Sequence, residues 1–276
     1  MHRITITLIW LIFSVVSYSQ KIYSGIHFND KEVNRGIPFK ITETKIFYNS
    51  NSIQVDKYLK IFDTYGLLQT SEIYDENDKL NFKSINFWDT SRALLLESKI
   101  ERWDRFGYTK NSKVYSYNKN GFLIEVNEFD ANNNSYQKTK LVNDTNGNPI
   151  EVVVFDGNGN PYGKEIGQYY YDKNQVVTSV ISNDDRIIST DTLTISFKNA
   201  SKFPSIDKIY NTNGDLIKSK QKKRNGSNTL YEHEYIYDEM GNWKDEKIFI
   251  VEVKSNGKHK KKLNRHFSRL IVYKNE

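Results

Sequence analysis

The chain alternates between stretches of β-branched and aromatic residues and short runs rich in Asp, Asn and Gly. One order recurs: an aromatic ring, an Asp or Asn, about two turn residues, a Gly or Asn, and then an apolar residue. Phe62-Asp63-Thr64-Tyr65-Gly66-Leu67, Tyr117-Asn118-Lys119-Asn120-Gly121-Phe122, Phe155-Asp156-Gly157-Asn158-Gly159-Asn160 and Tyr237-Asp238-Glu239-Met240-Gly241-Asn242 are four copies. Weaker copies open at Tyr74, Trp103, Phe129, Asn143 and Tyr210, and Tyr171-Asp172-Lys173-Asn174 is degenerate. From Phe62 to Tyr171, with a weaker unit near Trp88-Asp89 counted, the working period is 12 to 16 residues. A strand of roughly 7–9 residues and a turn of about 4–5 fill that period. Asp or Asn opens the turn by bonding backbone two residues ahead, and Gly or Asn supplies a positive φ.

Between the turns lie β-formers such as Ile150–Phe155, Gln175–Ile181 and Ile187–Thr190. Strict alternation runs through Thr192–Phe197 and Arg265–Tyr273. Links this short make neighbouring strands antiparallel. The fold class expected is therefore all-β: an extended, twisted antiparallel sheet of hairpin repeats, open or partly wrapped. The recurring aromatic, always just before the turn, is placed to stack along one sheet edge. Lys40–Tyr48 reads as a strand, and Val55–Phe62 as a strand or a short helix. Residues 21–60 form an N-terminal cap or edge of the same sheet, and residues 61–276 form the repeat domain. Ser91–Lys99 is the best helix candidate, with Ser91 as N-cap, or else a buried strand running on to Ile100.

Residues 1–20 read as a secretory signal: Arg3, an apolar run from Ile4 to Val16, then Ser17-Tyr18-Ser19 before a cleavage point near Gln20. The run is short for a permanent membrane anchor, which needs about 20 apolar residues. The location expected is secreted, periplasmic or cell-surface, with no transmembrane span after signal removal. The 276 residues include no Cys, so disulfides, thiol nucleophiles, Cys-zinc sites and lipid attachment at Cys are excluded. Thirty Asn suit a chain full of turns, and aromatics at 14% can bury enough area to keep it folded. The formal charge is +6. The excess sits late, with 17 Lys+Arg against 10 Asp+Glu in residues 201–276. Lys218–Arg224 and Lys258–Lys262 carry most of it, beside Asn225-Gly226 and Asn256-Gly257. These runs are either solvated hairpin ends or a patch for an anionic surface.

Tyr235-Ile236-Tyr237-Asp238-Glu239-Met240-Gly241-Asn242-Trp243 and Tyr115-Ser116-Tyr117-Asn118-Lys119-Asn120-Gly121-Phe122-Leu123 carry a family likeness. Through them the chain resembles YD-repeat proteins, the repeat class of RHS (rearrangement hot spot) proteins, over about residues 61–250. The resemblance implies β-hairpins curling into one continuous sheet, and an exported protein. RHS shells are far longer than the about ten units here, and no toxin domain follows the repeats.

Candidate chemistry is sparse. His27, His233, His259 and His266 make no metal-protease spacing, because His233-Glu234 lacks the second His. No catalytic residue, metal ligand or cofactor motif is assigned. Asp156-Gly157-Asn158-Gly159-Asn160 begins like a calcium loop, but Pro161 stands where the loop needs Gly, so it reads as a turn. Trp88, Trp103 and Trp243 lie near turns, where a ring stacks on sugar or covers a sheet end. The binding residues proposed are Lys258, Lys260, Lys261, Lys262, Trp103 and Trp243. The partners they imply are a glycan, an anionic envelope polymer or a protein, and not nucleic acid. The leading reading is an exported non-enzymatic repeat protein. The alternatives are an exported hydrolase of carbohydrate or envelope polymer, and an immunity-type protein that neutralises a partner.

Overall fold

The computed structural model describes residues 33, 35–49, 52–194, 208–222, 228–253 and 259–274. The signal reading at 1–20, Lys258, and the turn signals at Asn225-Gly226 and Asn256-Gly257 lie outside these residues. Among the described residues seventeen strands form one sheet. Every registered strand pair is antiparallel, and no α-helix occurs among the described residues.

The chain divides into two compact units. The first takes residues 31–111 and 204–276. It holds β1 (Pro38–Tyr48), β2 (Ile53–Phe62), β3 (Leu68–Tyr74), β4 (Leu80–Asp89), β5 (Leu94–Asp104) and the start of β6 (Gly107–Tyr117). From the late part of the chain it adds β13 (Lys208–Tyr210), β14 (Leu216–Lys222), β15 (Asn228–Tyr237), β16 (Trp243–Val253) and β17 (His259–Tyr273). Consecutive strands pair along β2 to β5 and along β13 to β17. The two runs are joined by β1, which lies between β17 and β2. The second unit carries the rest of β6, then β7 (Leu123–Phe129), β8 (Ser135–Asn143), β9 (Pro149–Asp156), β10 (Pro161–Tyr170), β11 (Gln175–Ile181) and β12 (Ile187–Thr194) as a plain meander.

The local unit is a five-residue turn with a fixed wiring. Asp63 N–H donates to Leu67 O (2.9 Å) and Gly66 N–H to Asp63 O (3.1 Å). The same pair of bonds recurs at Asp75, Asn118, Asp130, Asp144, Asp156, Ser182, Asn211 and Asp238. In each case the fourth residue has positive φ: Gly at six positions, Asn133, and aspartates 78 and 185. The opening side chain explains the Asp/Asn preference. Asp144 Oδ1 accepts the N–H groups of Asn146 and Asn148, both at 2.9 Å. That satisfies two donors the turn would otherwise leave to water.

A register shift flanks nearly every turn, at Ile61/Phe62, Ser116/Tyr117, Val142/Asn143, Ile209/Tyr210 and Ile236/Tyr237 on the strand that enters it. A bulge leaves a backbone group outside the ladder. The next strand supplies its partner. Trp88 Nε1 donates to Leu68 O (2.8 Å), Asn143 Nδ2 to Leu123 O (2.8 Å) and Tyr169 Oη to Pro149 O (2.9 Å). Trp88 is thus a structural donor.

The repeated tyrosine has a second task beyond stacking. Tyr237, ending β15, donates to Asp215 (2.9 Å) and accepts from Asn211 Nδ2 (2.6 Å), both in the preceding turn. Tyr171 clasps Asp144 and Asn148 in the same way, and Tyr273 clasps Asp238 and Asn242. These ring contacts join residues two apart along the chain rather than successive copies of the repeat: Tyr169–Tyr171 stack and Tyr235–Tyr237 are tilted, each with centroids 6.0 Å apart.

The helix candidate at Ser91–Lys99 is not a helix. Ser91 sits in a turn opened by Asp89, Ala93 has φ 52°, and Leu94 begins β5. Leu94, Leu95 and Ile100 are buried, so sheet burial outweighs the helix propensity of the Leu run. Val55–Phe62 likewise belongs to strand β2. Of Thr192–Phe197, Thr192–Thr194 end β12 and the remainder lies outside the described residues. The degenerate Tyr171-Asp172-Lys173 forms a single 3-10 turn, closed by Asn174 at φ 50°.

Apolar clusters are small. Ile41 and Phe62 pack with Val33, Leu68 and Ile271; separately, Leu141 and Val152 pack with Leu123 and Tyr169. Buried polar side chains are as characteristic, among them Glu43, Ser84, Ser98, Thr139, Glu165, Thr178 and Glu246.

Candidate functional site

The proposed binding residues do not converge. Lys260, Lys261 and Lys262 lie near the start of β17, Trp243 opens β16 and Trp103 is near the end of β5. Strands β1 to β4 separate β17 from β5. Alternation along β17 puts Lys260 and Lys262 on the face opposite Lys261. Lys261 is already engaged: its Nζ is 2.8 Å from Glu232 and 3.0 Å from Glu234, and it lies over the Phe249 ring. Glu232 also meets Lys218 at 3.1 Å. The lysine run is therefore split by a cross-strand ion ladder. Trp243 is covered by Arg269, whose guanidinium carbon is 3.7 Å from the ring centroid, and lies 6.4 Å from Tyr235.

That ladder has a pH signature. Lys261 and Lys218 hold the Glu232 carboxyl below its ordinary value of 4.5. Lys83 and the Tyr74 hydroxyl do the same for Glu72. Depressed carboxyls stabilise the fold above their unfolded pKa and lose that contribution as pH falls through the folded value. Stability should therefore decline below about pH 4.5, and Glu232→Gln together with Glu72→Gln should flatten that acid limb in denaturant titrations at pH 3 to 7. An unchanged limb would assign acid sensitivity to other groups.

His233 is bonded not to Glu234, its neighbour in sequence, but to Glu246 on the paired strand: Nδ1 is 2.8 Å from Oε1. The Tyr235 hydroxyl lies 2.8 Å from the same oxygen and 2.9 Å from Leu216 O. Burial first, and the Glu246 charge second, push the Tyr235 hydroxyl far above the usual phenol range. His233 and Glu246 side chains are only 9% and 11% exposed, so the pair is a sealed strut rather than an open acid–base site.

The most exposed ring among the described residues, Phe106, sits at the tip of the β5–β6 hairpin, beside the half-buried Trp103 and the exposed Tyr108. The tip is Asp104-Arg105-Phe106-Gly107, with Asp104 Oδ1 accepting the Phe106 N–H at 2.7 Å. Phe106 is 81% exposed, and Arg105 stacks on it at 4.7 Å. Trp103 and Tyr108 face each other across the hairpin with centroids 5.2 Å apart. Partial desolvation and the neighbouring Glu101 carboxylate, which it hydrogen-bonds, raise the Tyr108 hydroxyl pKa. Of these rings only Trp103 was singled out from sequence. The signal for the others was a two-residue loop holding Arg and Phe, an unusual place for a large ring.

Among the described residues no group of three or more His, Cys, Asp or Glu could hold a metal ion, and no helix is long and apolar enough to cross a membrane. No protein-family model matches the chain, and no curated protein matches it. Among solved structures, a porin-like protein from Bacteroides uniformis ATCC 8492 is similar at 12% identity and a TM-score of 0.47, over 86% of this chain and 99% of that one. A protein provisionally assigned as AttH, from Nitrosomonas europaea, aligns at 8% identity and a TM-score of 0.13, over 83% and 91% of the two chains.

Proposed function

We propose that the chain is an exported, non-enzymatic repeat protein of the YD type, acting in the cell envelope or extracellular space by binding a glycan polymer. The signal-like residues 1–20 and the turn repeat support the address and the class. The observation that carries the binding role is Phe106, a large ring 81% exposed beside the Trp103–Tyr108 pair. Exposed Trp, Tyr and Arg are the side chains that dominate binding energies when a partner desolvates them. Flat rings stack on the C–H faces of sugars, and Glu101 and Arg105 can bond to hydroxyls at their rim.

The test is retention of the protein on immobilised envelope polysaccharide. Trp103→Ala with Phe106→Ala should abolish retention, while charge reversal at Lys260 and Lys262 should leave it intact. Retention should also persist in 0.5 M salt, because ring stacking is screened little. Retention by the double variant equal to the parent would overturn the assignment. Binding of a protein partner in place of polysaccharide would favour the immunity-type reading.

A further inference from the structure

Alternation along β5 fixes what else lies beside the hairpin rings. Glu97, Lys99, Glu101 and Trp103 share one face of the strand, while Ser98 and Ile100, both buried, take the other. Register carries the first face onto β4, where Lys83 is opposite Glu101, Ile85 opposite Lys99 and Phe87 opposite Glu97. Phe87 is 42% exposed. The face that holds Trp103 and Tyr108 at one end therefore holds a second accessible ring at the other. Glu97 and Trp103 stand six residues apart, which at about 3.4 Å per residue puts roughly 20 Å of strand between the two ring positions.

The charges along this span cancel. From β3 to β6 the face carries Lys83, Lys99 and Lys110 against Glu72, Glu97 and Glu101. Most are already engaged. Lys83 Nζ lies 2.8 Å from Glu72, Lys99 Nζ lies 3.8 Å from Glu97 and 4.8 Å from the Phe87 centroid, and Glu101 takes the Tyr108 hydroxyl. A polymer charged with either sign meets no net field here. Hydroxyl groups, which both donate and accept, find partners among ammonium and carboxylate groups alike. The span sets the form of the partner: a single sugar reaches one ring position, whereas an unbranched chain lying along β5 reaches both.

We infer that the ligand is an uncharged, unbranched glycan chain laid along β5, with one end on Trp103 and Tyr108 and the other on Phe87. The inference rests on the glycan reading above and adds to it the length and charge of the ligand.

The experiment is calorimetric titration of the full chain with cello-oligosaccharides and N-acetylated chito-oligosaccharides of two to six units, in parallel with anionic oligogalacturonates of equal length. Affinity should climb with length in at least one neutral series, and the oligogalacturonates should bind no tighter at low salt. Phe87→Ala should weaken the longest neutral chain by about threefold to tenfold, the scale of one ring contact, and leave the two-unit sugar unchanged. Trp103→Ala should weaken both. Circular dichroism of Phe87→Ala is compared with the parent, and the length series of the parent decides if that variant does not fold. Binding of no oligosaccharide at any length would overturn the glycan reading and this inference with it. Equal affinity at two and six units, or an unchanged longest chain in Phe87→Ala, would overturn the second ring position alone, and tighter binding of oligogalacturonates would overturn the uncharged ligand.

Discussion

Valine at Gly163 is expected to lower stability by roughly 2–5 kcal/mol, the sum of a strained backbone and an overpacked site. Gly163 lies at the β10 register shift with φ 146°, where L side chains are rarely found. A Cβ there would stand 2.7 Å from Ile181 O, a backbone atom that cannot rotate away. Either β10 or β11 must move, and their ladder runs from Lys164 to Tyr170. Gly159→Ala is the natural control. Its φ is 85°, but nothing lies within 4 Å of the added carbon. That substitution should cost only about 1 kcal/mol. Urea unfolding of both variants separates the two contributions. Equal losses would mean that the close approach to Ile181 carries no weight.

Asn242→Ala should be nearly as damaging, at about 2–4 kcal/mol. Asn242 is 1% exposed. Its Nδ2 donates to Arg35 O (2.8 Å) and to the Tyr273 hydroxyl (2.7 Å), and its Oδ1 accepts the Arg35 N–H (3.0 Å). Alanine removes all three bonds and leaves the Arg35 backbone groups without these partners. Asn242→Asp tests the direction: the carboxylate still accepts from Arg35 N–H but offers no donor to Arg35 O. It should recover only part of the loss. Full stability in the alanine variant would show that water replaces the side chain at no cost.

The all-β architecture was readable from sequence because its punctuation is local. The bonds that define each turn join residues two to four apart, so Asp63, Asn118 or Asp238 with a following Gly states the geometry alone. Ser182 escaped notice because a hydroxyl and Asp185 replace the usual acid and glycine, though the backbone bonds are the same. Of the two readings open for Ser91–Lys99, the buried strand holds from Leu94 onward and the helix gives way, because burial outweighs propensity there. The tyrosine clasps were hidden for a different reason: Tyr237 and Asp215 are 22 residues apart, Tyr273 and Asp238 35. The binding residues are spread over the sheet for a reason the sequence hides. A run of lysines reads as one patch in sequence, whereas a strand distributes it over two faces and hands Lys261 to Glu232 and Glu234. Phe106 shows the converse, since exposure of a ring at a hairpin tip is a property of the folded chain.

The seam between β1 and β17 sets the order of assembly. Pro38 is registered with Tyr273, and Lys274 N–H bonds to Ile37 O. Most hairpins can zip as soon as they leave the ribosome, but this one edge of β1 waits for the final strand to be synthesised. Until β17 is in place, β1 is paired only with β2, and Ile41, 1% exposed in the folded protein, lies on a strand whose other edge is still open to pairing with another chain.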